Sequence, residues 1–200
     1  LAPKNDEQLH QIRDERKEQI MNAGLKVFAR RGLAPAKMSM IAAEAGISHG
    51  LLYHYFSSKE ELFTSLVEEA MIGAESAVRQ IGDLPGTSSP IDRIRKLTQE
   101  MLDESGTDYF LLIHQARNSE QVPEKVRQLI EHYSMDKFIE TLLPLFQEGQ
   151  RTGQFADGDP EAMIASYLSV INGLMVLNVQ KSDGFRLPDL DMLLRMILKS

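Results

Sequence analysis

The stretch SHGLLYHYFSSKEEL, residues 48–62, decides how this chain reads. It opens on small and polar residues, crowds ring side chains between His49 and Phe56, and closes on a helix-start signal that carries a lysine. No acid occurs between Glu44 and Glu60, although the 200-residue chain has a net charge of −7. On a wheel at about 100° per residue, Leu52, Tyr55 and Phe56 share one arc, which makes them a packing face. His49, Gly50, Leu51, Tyr53 and His54 cover the other side. That outward set has no acid, Lys or Arg, one glycine, one leucine and ring donors. It suits contact with the edges and backbone of another molecule better than contact with water alone.

The neighbouring segments place this short helix. Met38, Ile41, Ala42 and Ala45 keep helical spacing in a short segment that Gly46 stops, and "AGIS" joins it to the next. Helix, tight turn, helix over about residues 37–56 is the helix-turn-helix layout, whose second helix can enter a DNA major groove. Upstream, Ile20, Gly24, Val27 and Phe28 fall at i, i+4, i+7 and i+8, which predicts a helix over roughly 13–31 with Gly32 as its C-terminal cap. Downstream, "SKEE" (58–61) is a capping box, in which the Ser58 hydroxyl meets the Glu61 amide and the Glu61 carboxylate reaches back. Leu62, Phe63, Leu66 and Val67 then carry the apolar face of the helix it starts. Lys59 stands first in that helix, where the dipole disfavours a cation unless its partner is an anion. With the free amides there, it would grip a phosphate; the alternative is a lysine that points into water, at a cost of only some tenths of a kcal/mol.

The rest of the chain shows helical spacing and no strand alternation, so the expectation is an all-α protein of about nine helices. "GDLPGTSSP" (82–90) reads as a loop, with Ser89 capping a helix that has Pro90 at its first position. Further helices are expected over about 108–118, from Pro123 with a bend near Pro144, from 159–160 to about 180, and from Pro188. "GQRTGQFADGDP" (149–160) breaks the third-last from the second-last. Residues 162–180, AMIASYLSVINGLMVLNVQ, contain no charge and approach the length a bilayer needs. Ser166, Ser169, Asn172, Asn178 and Gln180 suit lipid poorly, so the reading is no membrane span but a helix buried between its own domain and a second subunit. Ala165, Ser166, Ser169 and Gly173 would let two helices approach closely.

Composition excludes several classes. There is no Cys, which removes disulfides, thiolate metal sites and cysteine nucleophiles. The first 19 residues are polar and charged with no apolar signal core, so the expected location is the cytoplasm. No phosphate loop, paired metal histidines or nucleophile elbow occurs, and no enzyme, cofactor or metal site is expected. His49 and His54 are five apart, off the i, i+4 face that chelation needs, and Asp157 and Asp159 lack the rest of a calcium loop's ligands. The charge is uneven: residues 1–66 carry a net +1 and residues 67–200 a net −8. The acid-free run 19–43 holds Lys26, Arg30, Arg31 and Lys37. Only charges within a Debye length of about 8 Å act at physiological salt, so this run supplies a local field a polyanion can feel.

"AGISHGLLYHYFSSKEELF" (45–63), preceded by "MIAAEAG" (40–46) and "IMNAGLKVFARRGL" (20–33), resembles the DNA-binding domain of TetR-family transcriptional regulators over residues 12–68. "LFQEGQRTGQF…DPEAMIASYLSVINGL" (145–174) is similar to that family's C-terminal region. The resemblance implies a homodimer that binds double-stranded DNA at a palindromic operator. It implies an N-terminal three-helix DNA-binding domain and an effector-binding and dimerisation domain over 69–200, with the last two helices pairing across a two-fold axis. By position, Ser48, His49, Gly50 and Leu51 fall where the family meets base edges and backbone, Tyr53 and His54 where it meets phosphates and bases, and Lys59 where it grips a phosphate. The family often has Thr or Ser where this chain has Ala36 and Lys37, so an ammonium contact from Lys37 replaces a hydroxyl one. His49 stands where Lys is common, and Leu51, where a small residue is common, offers a methyl group to thymine.

The expected role is a transcriptional regulator, a repressor released by a small-molecule effector. Met101, Phe110, His114, Tyr133, Phe146, Tyr167 and Met175 are the effector-contact candidates, although at helical spacing such residues also make ordinary core. A second reading stays open from the residues alone, in which the helix-turn-helix contacts a protein partner and no ligand intervenes.

Overall fold

The computed structural model describes residues 3–82, 88–179 and 185–199. The protein is all-α. Its helices are α1 (Pro3–Arg31), α2 (Met38–Glu44), α3 (His49–Tyr55), α4 (Lys59–Gly82), α5 (Pro90–Leu102), α6 (Glu104–Arg117), α7 (Glu124–His132), α8 (Met135–Arg151), α9 (Pro160–Val179) and α10 (Leu190–Leu194). The chain forms two compact units, one of residues 1–70 with 111–129, the other of 71–110 with 130–200.

In the first unit, α1 and the start of α4 pack closely because Gly24 presents no side chain. A Cβ there would stand 3.0 Å from Leu62 Cδ2. One turn on, the Phe28 and Phe63 rings meet edge to face at 5.1 Å, a favoured aromatic geometry. Ile20, Ile41, Leu52, Leu66 and Val67 complete the core, and Leu112, Ala116, Val122 and Val126 are buried within the same unit.

In the second unit, α5, α8, α9 and α10 bury Ile94, Leu97, Leu145, Phe146, Ile164, Tyr167, Ile171 and Leu194 around one core. Thr98 donates to the Ile94 carbonyl at 2.7 Å, which leaves the Tyr167 hydroxyl to donate to Thr98 at 2.8 Å. Burial pushes the Tyr167 phenol up to about 12. The chain after α8 turns at Gly153, φ +72°, and Phe155 folds back over Gly149. A short antiparallel bridge with the chain end fixes it, through Ala156 N–H to the Ile197 carbonyl (2.9 Å) and Lys199 N–H to that of Gln154 (3.0 Å).

Several boundaries differ from the sequence reading. The helix expected to run on from Pro123 is two helices, because the backbone turns extended at Ser134, φ −71° and ψ 166°. Pro144 lies inside α8, which continues through it to Arg151. α6 starts earlier than expected because the Asp103 carboxylate accepts from the Gly106 amide at 2.6 Å. The last helix begins at Leu190, two residues past Pro188, with Asp189 as its cap. In the predicted 82–90 loop, residues 83–87 lie outside the described residues, as does Gln180 at the end of α9.

Two glycines make opposite predictions. At Gly149 a Cβ would stand 2.2 Å from the Phe155 ring, so Gly149→Ala should destabilise by about 1–3 kcal/mol, the cost of overpacking. Gly73 is exposed in α4 with nothing within 4 Å of a Cβ, so Gly73→Ala should stabilise by roughly 0.5–1 kcal/mol. Denaturant midpoints of the two variants against the parent check both signs.

Candidate nucleic-acid interface

Local rules place α3. Gly46 adopts φ +64° and lets the Ile47 amide reach the Ala42 carbonyl at 3.0 Å, the closing bond of a Schellman cap on α2. Gln19 of α1 donates to the Ala45 carbonyl at 2.6 Å and ties this turn down. Two residues past the glycine, the Ser48 hydroxyl accepts from the Leu51 amide at 3.2 Å and caps α3. Leu52 and Phe56 are buried and Tyr55 half-buried, so the packing arc is the one the wheel predicts.

The opposite face is open. His49, Gly50, Leu51, Tyr53 and His54 are all exposed. The His49 and Tyr53 rings, one turn apart, meet edge to face at 4.9 Å, and His54 meets Tyr55 at 5.6 Å. Gly50 is not needed by the fold, since nothing lies within 4 Å of where its Cβ would be and its φ is not left-handed. The space it leaves faces outward, which is what close approach by another molecule's backbone requires. Lys37 is exposed at the N-cap position of α2, extended at φ −127° and ψ 145°, and makes no side-chain cap. Lys26, Arg30, Arg31 and Lys37 form no ion pair among the described residues.

Lys59 is placed otherwise than expected. Its ammonium donates to the carbonyls of Leu33 (2.9 Å), Ala34 (3.0 Å) and Ala36 (3.1 Å). An ammonium has three N–H donors and all three are used, so no donor is left for a phosphate in this arrangement. The capping box also shifts by one. The Ser58 hydroxyl accepts from the Glu61 amide at 3.1 Å as predicted, but the Glu61 carboxylate takes both the amide (2.7 Å) and the hydroxyl of Ser57. Those bonds hold the Glu61 carboxyl below its usual value, the hydroxyl contributing most. Gln19 and Gln115 were not legible as site residues, and sequence spacing carries no signal for either. Gln115 donates to the Ala29 carbonyl at 2.5 Å from α6.

The effector-contact candidates separate. Phe146, Tyr167 and Met175 lie in the core of the second unit, with Met101 and Phe110 packed against it. Tyr133 is buried in the same unit beside the His132 ring. His114 is not among them: it is exposed in the first unit, where its carbonyl accepts from Asn118 at 2.8 Å.

A capped seven-residue helix, hung from a glycine turn with an acid-free outer face, completes a helix-turn-helix arrangement. The family model described as "Bacterial regulatory proteins, tetR family" matches residues 20–66. YfiR, an HTH-type transcriptional regulator of Bacillus subtilis, is 29% identical over 171 residues, 83% of this chain and 80% of its own. The repressor KstR2 of Mycobacterium tuberculosis is 33% identical over 84 residues, 42% of this chain and 41% of its own. Its solved structure, a ketosteroid transcriptional regulator, superposes with a TM-score of 0.68 at 22% identity over 92% of this chain and 96% of that one. A transcriptional regulator from Saccharomonospora viridis, solved in complex with choline, superposes with a TM-score of 0.71 at 20% identity, over 94% of this chain and all of that one. Over residues 20–66 the chain is similar to the TetR family of transcriptional regulators.

The Glu61 bonds predict an acid dependence. A carboxyl whose folded value is depressed contributes stability that is full above its unfolded value and lost as pH falls through the folded one. The stability advantage of the parent over Glu61→Gln should therefore be constant above pH 4.5, Glu61's ordinary value, and shrink below it. Thermal melts of both proteins across that range measure the gap. A gap that widens toward acid would contradict the assignment.

Proposed function

We propose that the chain is a ligand-responsive repressor that reads a palindromic operator as a homodimer. Residues 12–68 serve as the DNA-reading part, and residues 69–200 as the effector-binding and dimerisation part. The observation that carries the reading is the exposed face of α3, whose outward residues bear no acid and whose Gly50 has no internal reason to be glycine. Ser48, His49, Gly50 and Leu51 are assigned to base edges and nearby backbone, Tyr53 and His54 to phosphates and bases, and Lys37 to a phosphate. Such a role places the protein with DNA in the cytoplasm.

The homodimer is supported by α9. It is long and apolar enough to cross a membrane by length and composition, yet only 28% of it is buried in the described chain. Ile164, Tyr167, Ile171 and Met175 face its own core, whereas Val170 and Leu177 are exposed with Ser166, Ser169 and Gly173. A second copy would cover that outer face, together with the exposed Met192 of α10 and Met196 just after it. Repression and ligand response are supported by the relatives, one a repressor and another a regulator solved with choline. The effector is assigned to the second unit, where Met101, Phe110, Phe146, Tyr167 and Met175 gather on one apolar core that encloses the Thr98–Tyr167 hydroxyl pair.

Binding to a palindromic duplex from the protein's own promoter should weaken linearly on a log–log salt plot, with a slope of roughly −0.9 per phosphate neutralised. Indifference to duplex DNA at low salt would overturn the DNA reading. Tyr53→Ala should weaken binding to all sequences. Leu51→Ala should relax preference at one base pair. A uniform loss from Leu51→Ala would contradict the thymine contact. Removing the protein from its host should raise transcription from that promoter, and a fall would mark an activator.

Leu177→Glu, on the outer face of α9, should convert the dimer to monomer in sedimentation and lower operator affinity with it. An unchanged mass would remove α9 from the interface.

A further inference from the structure

The turn between α1 and α2, Gly32-Leu33-Ala34-Pro35-Ala36-Lys37, ends one helix and starts another, so its carbonyls need donors from elsewhere. Two side chains from distant segments supply them. Lys59, the first residue of α4, donates to Leu33, Ala34 and Ala36 at 2.9–3.1 Å. One turn earlier, Gln115 of α6 donates to Ala29 at 2.5 Å, and its amide lies over Gly32, where a Cβ would stand 2.7 Å from the Gln115 Oε1. Gly32 can accept that neighbour because it sits at φ +75° without a side chain, its amide bonded to the Phe28 carbonyl at 2.8 Å.

We infer that Lys59 and Gln115 are positioning residues for DNA reading, a clamp on the carbonyls of residues 29–36 that sets where α2 begins. The inference rests on the DNA-binding reading above. Lys37 follows the last clamped carbonyl directly, and its own carbonyl accepts the first amides of α2, from Met40 (3.0 Å) and Ile41 (3.3 Å). α2 in turn carries α3 through the Gly46 turn. A shift of the clamped turn therefore displaces Lys37 and the outward face of α3 together. The charge is accounted for as well: a cation at the positive end of α4 is offset by three carbonyl oxygens, with no phosphate required. Neither Lys59 nor Gln115 belongs to the exposed face of α3, so each acts through the turn it holds.

The test uses the full chain with Lys59→Met, Lys59→Arg and Gln115→Ala. Amide hydrogen exchange is followed without DNA, and affinity for the operator duplex across salt. Lys59→Met and Gln115→Ala should speed exchange over residues 33–41 while the α8 and α9 amides hold. Lys59→Arg keeps the charge but offers a planar fork in place of three convergent donors. It should speed the same amides and fail to restore binding, with affinity down about tenfold or more, the scale of one lost charge-assisted hydrogen bond. A direct phosphate role gives the opposite pattern: Lys59→Arg binds normally, and Lys59→Met leaves exchange unchanged and flattens the salt slope by about one unit. That pattern overturns the clamp at Lys59, and unchanged exchange in Gln115→Ala overturns it at Gln115. Exchange raised evenly through the chain marks general loss of stability and also overturns it. If the parent protein fails to bind any duplex, the functional reading fails by itself, and exchange over 33–41 still decides whether the clamp exists.

Discussion

The burial of Leu52 and Phe56 is the constraint on which the exposed face of α3 depends. Seven residues are too few to hold a helix in water, because the cost of starting one exceeds what so short a ladder returns. α3 itself has only Leu52 fully buried, and its C-cap residue Phe56 is buried directly after it, each worth roughly 1.5–3 kcal/mol when covered. The remaining support is local: a hydroxyl cap at Ser48, and the Gly46 turn that closes α2. With so little of the helix needed for its own packing, His49, Gly50, Leu51, Tyr53 and His54 stay exposed. That division explains how a patch so rich in rings stays exposed without being a folding defect.

Lys59 shows how a correct physical premise can lead to the wrong partner. A lysine at the first position of a helix faces the positive end of the dipole, and it needs negative charge nearby to be tolerated. A phosphate would meet that need, but so do three carbonyl oxygens, and the chain supplies those itself. Sequence spacing reveals the need and not the source, because Leu33, Ala34 and Ala36 offer backbone atoms that no side-chain pattern announces. The same limit hides Gln115, an ordinary residue of an amphipathic helix whose function comes from a carbonyl far upstream. Glu61 is a milder case: the box was visible, yet the carboxylate chose Ser57 over Ser58, a difference of one residue in how the chain enters α4.

What was legible follows the same line. The end of α1 at Gly32, the Gly46 turn, the Ser89 cap and the inward arc of α3 are decided within four residues of themselves, and each stands where spacing put it. The division of 123–151 at Ser134 was not legible, since Pro144 offers a stronger local signal for a break and the helix runs through it. The effector-contact candidates were chosen by residue type alone. Phe146, Tyr167 and Met175 share a core for the reason any apolar residues do, while His114, chosen for its ring nitrogen, belongs to the other unit.

Charge and apolar surface complete the division of labour. A chain of net −7 is repelled by a polyanion at long range, but at physiological salt that repulsion fades within about 8 Å. What counts at contact is the run 19–43 with its four exposed cations and no acid, followed by the acid-free α3. The acids gather instead on residues 67–200, which carry a net −8. After Glu161, α9 has no charge at all, and its outer face is uncharged, with Val170 and Leu177 exposed beside Ser166, Ser169 and Gly173. An uncharged face is one on which two identical copies could meet without like-charge repulsion.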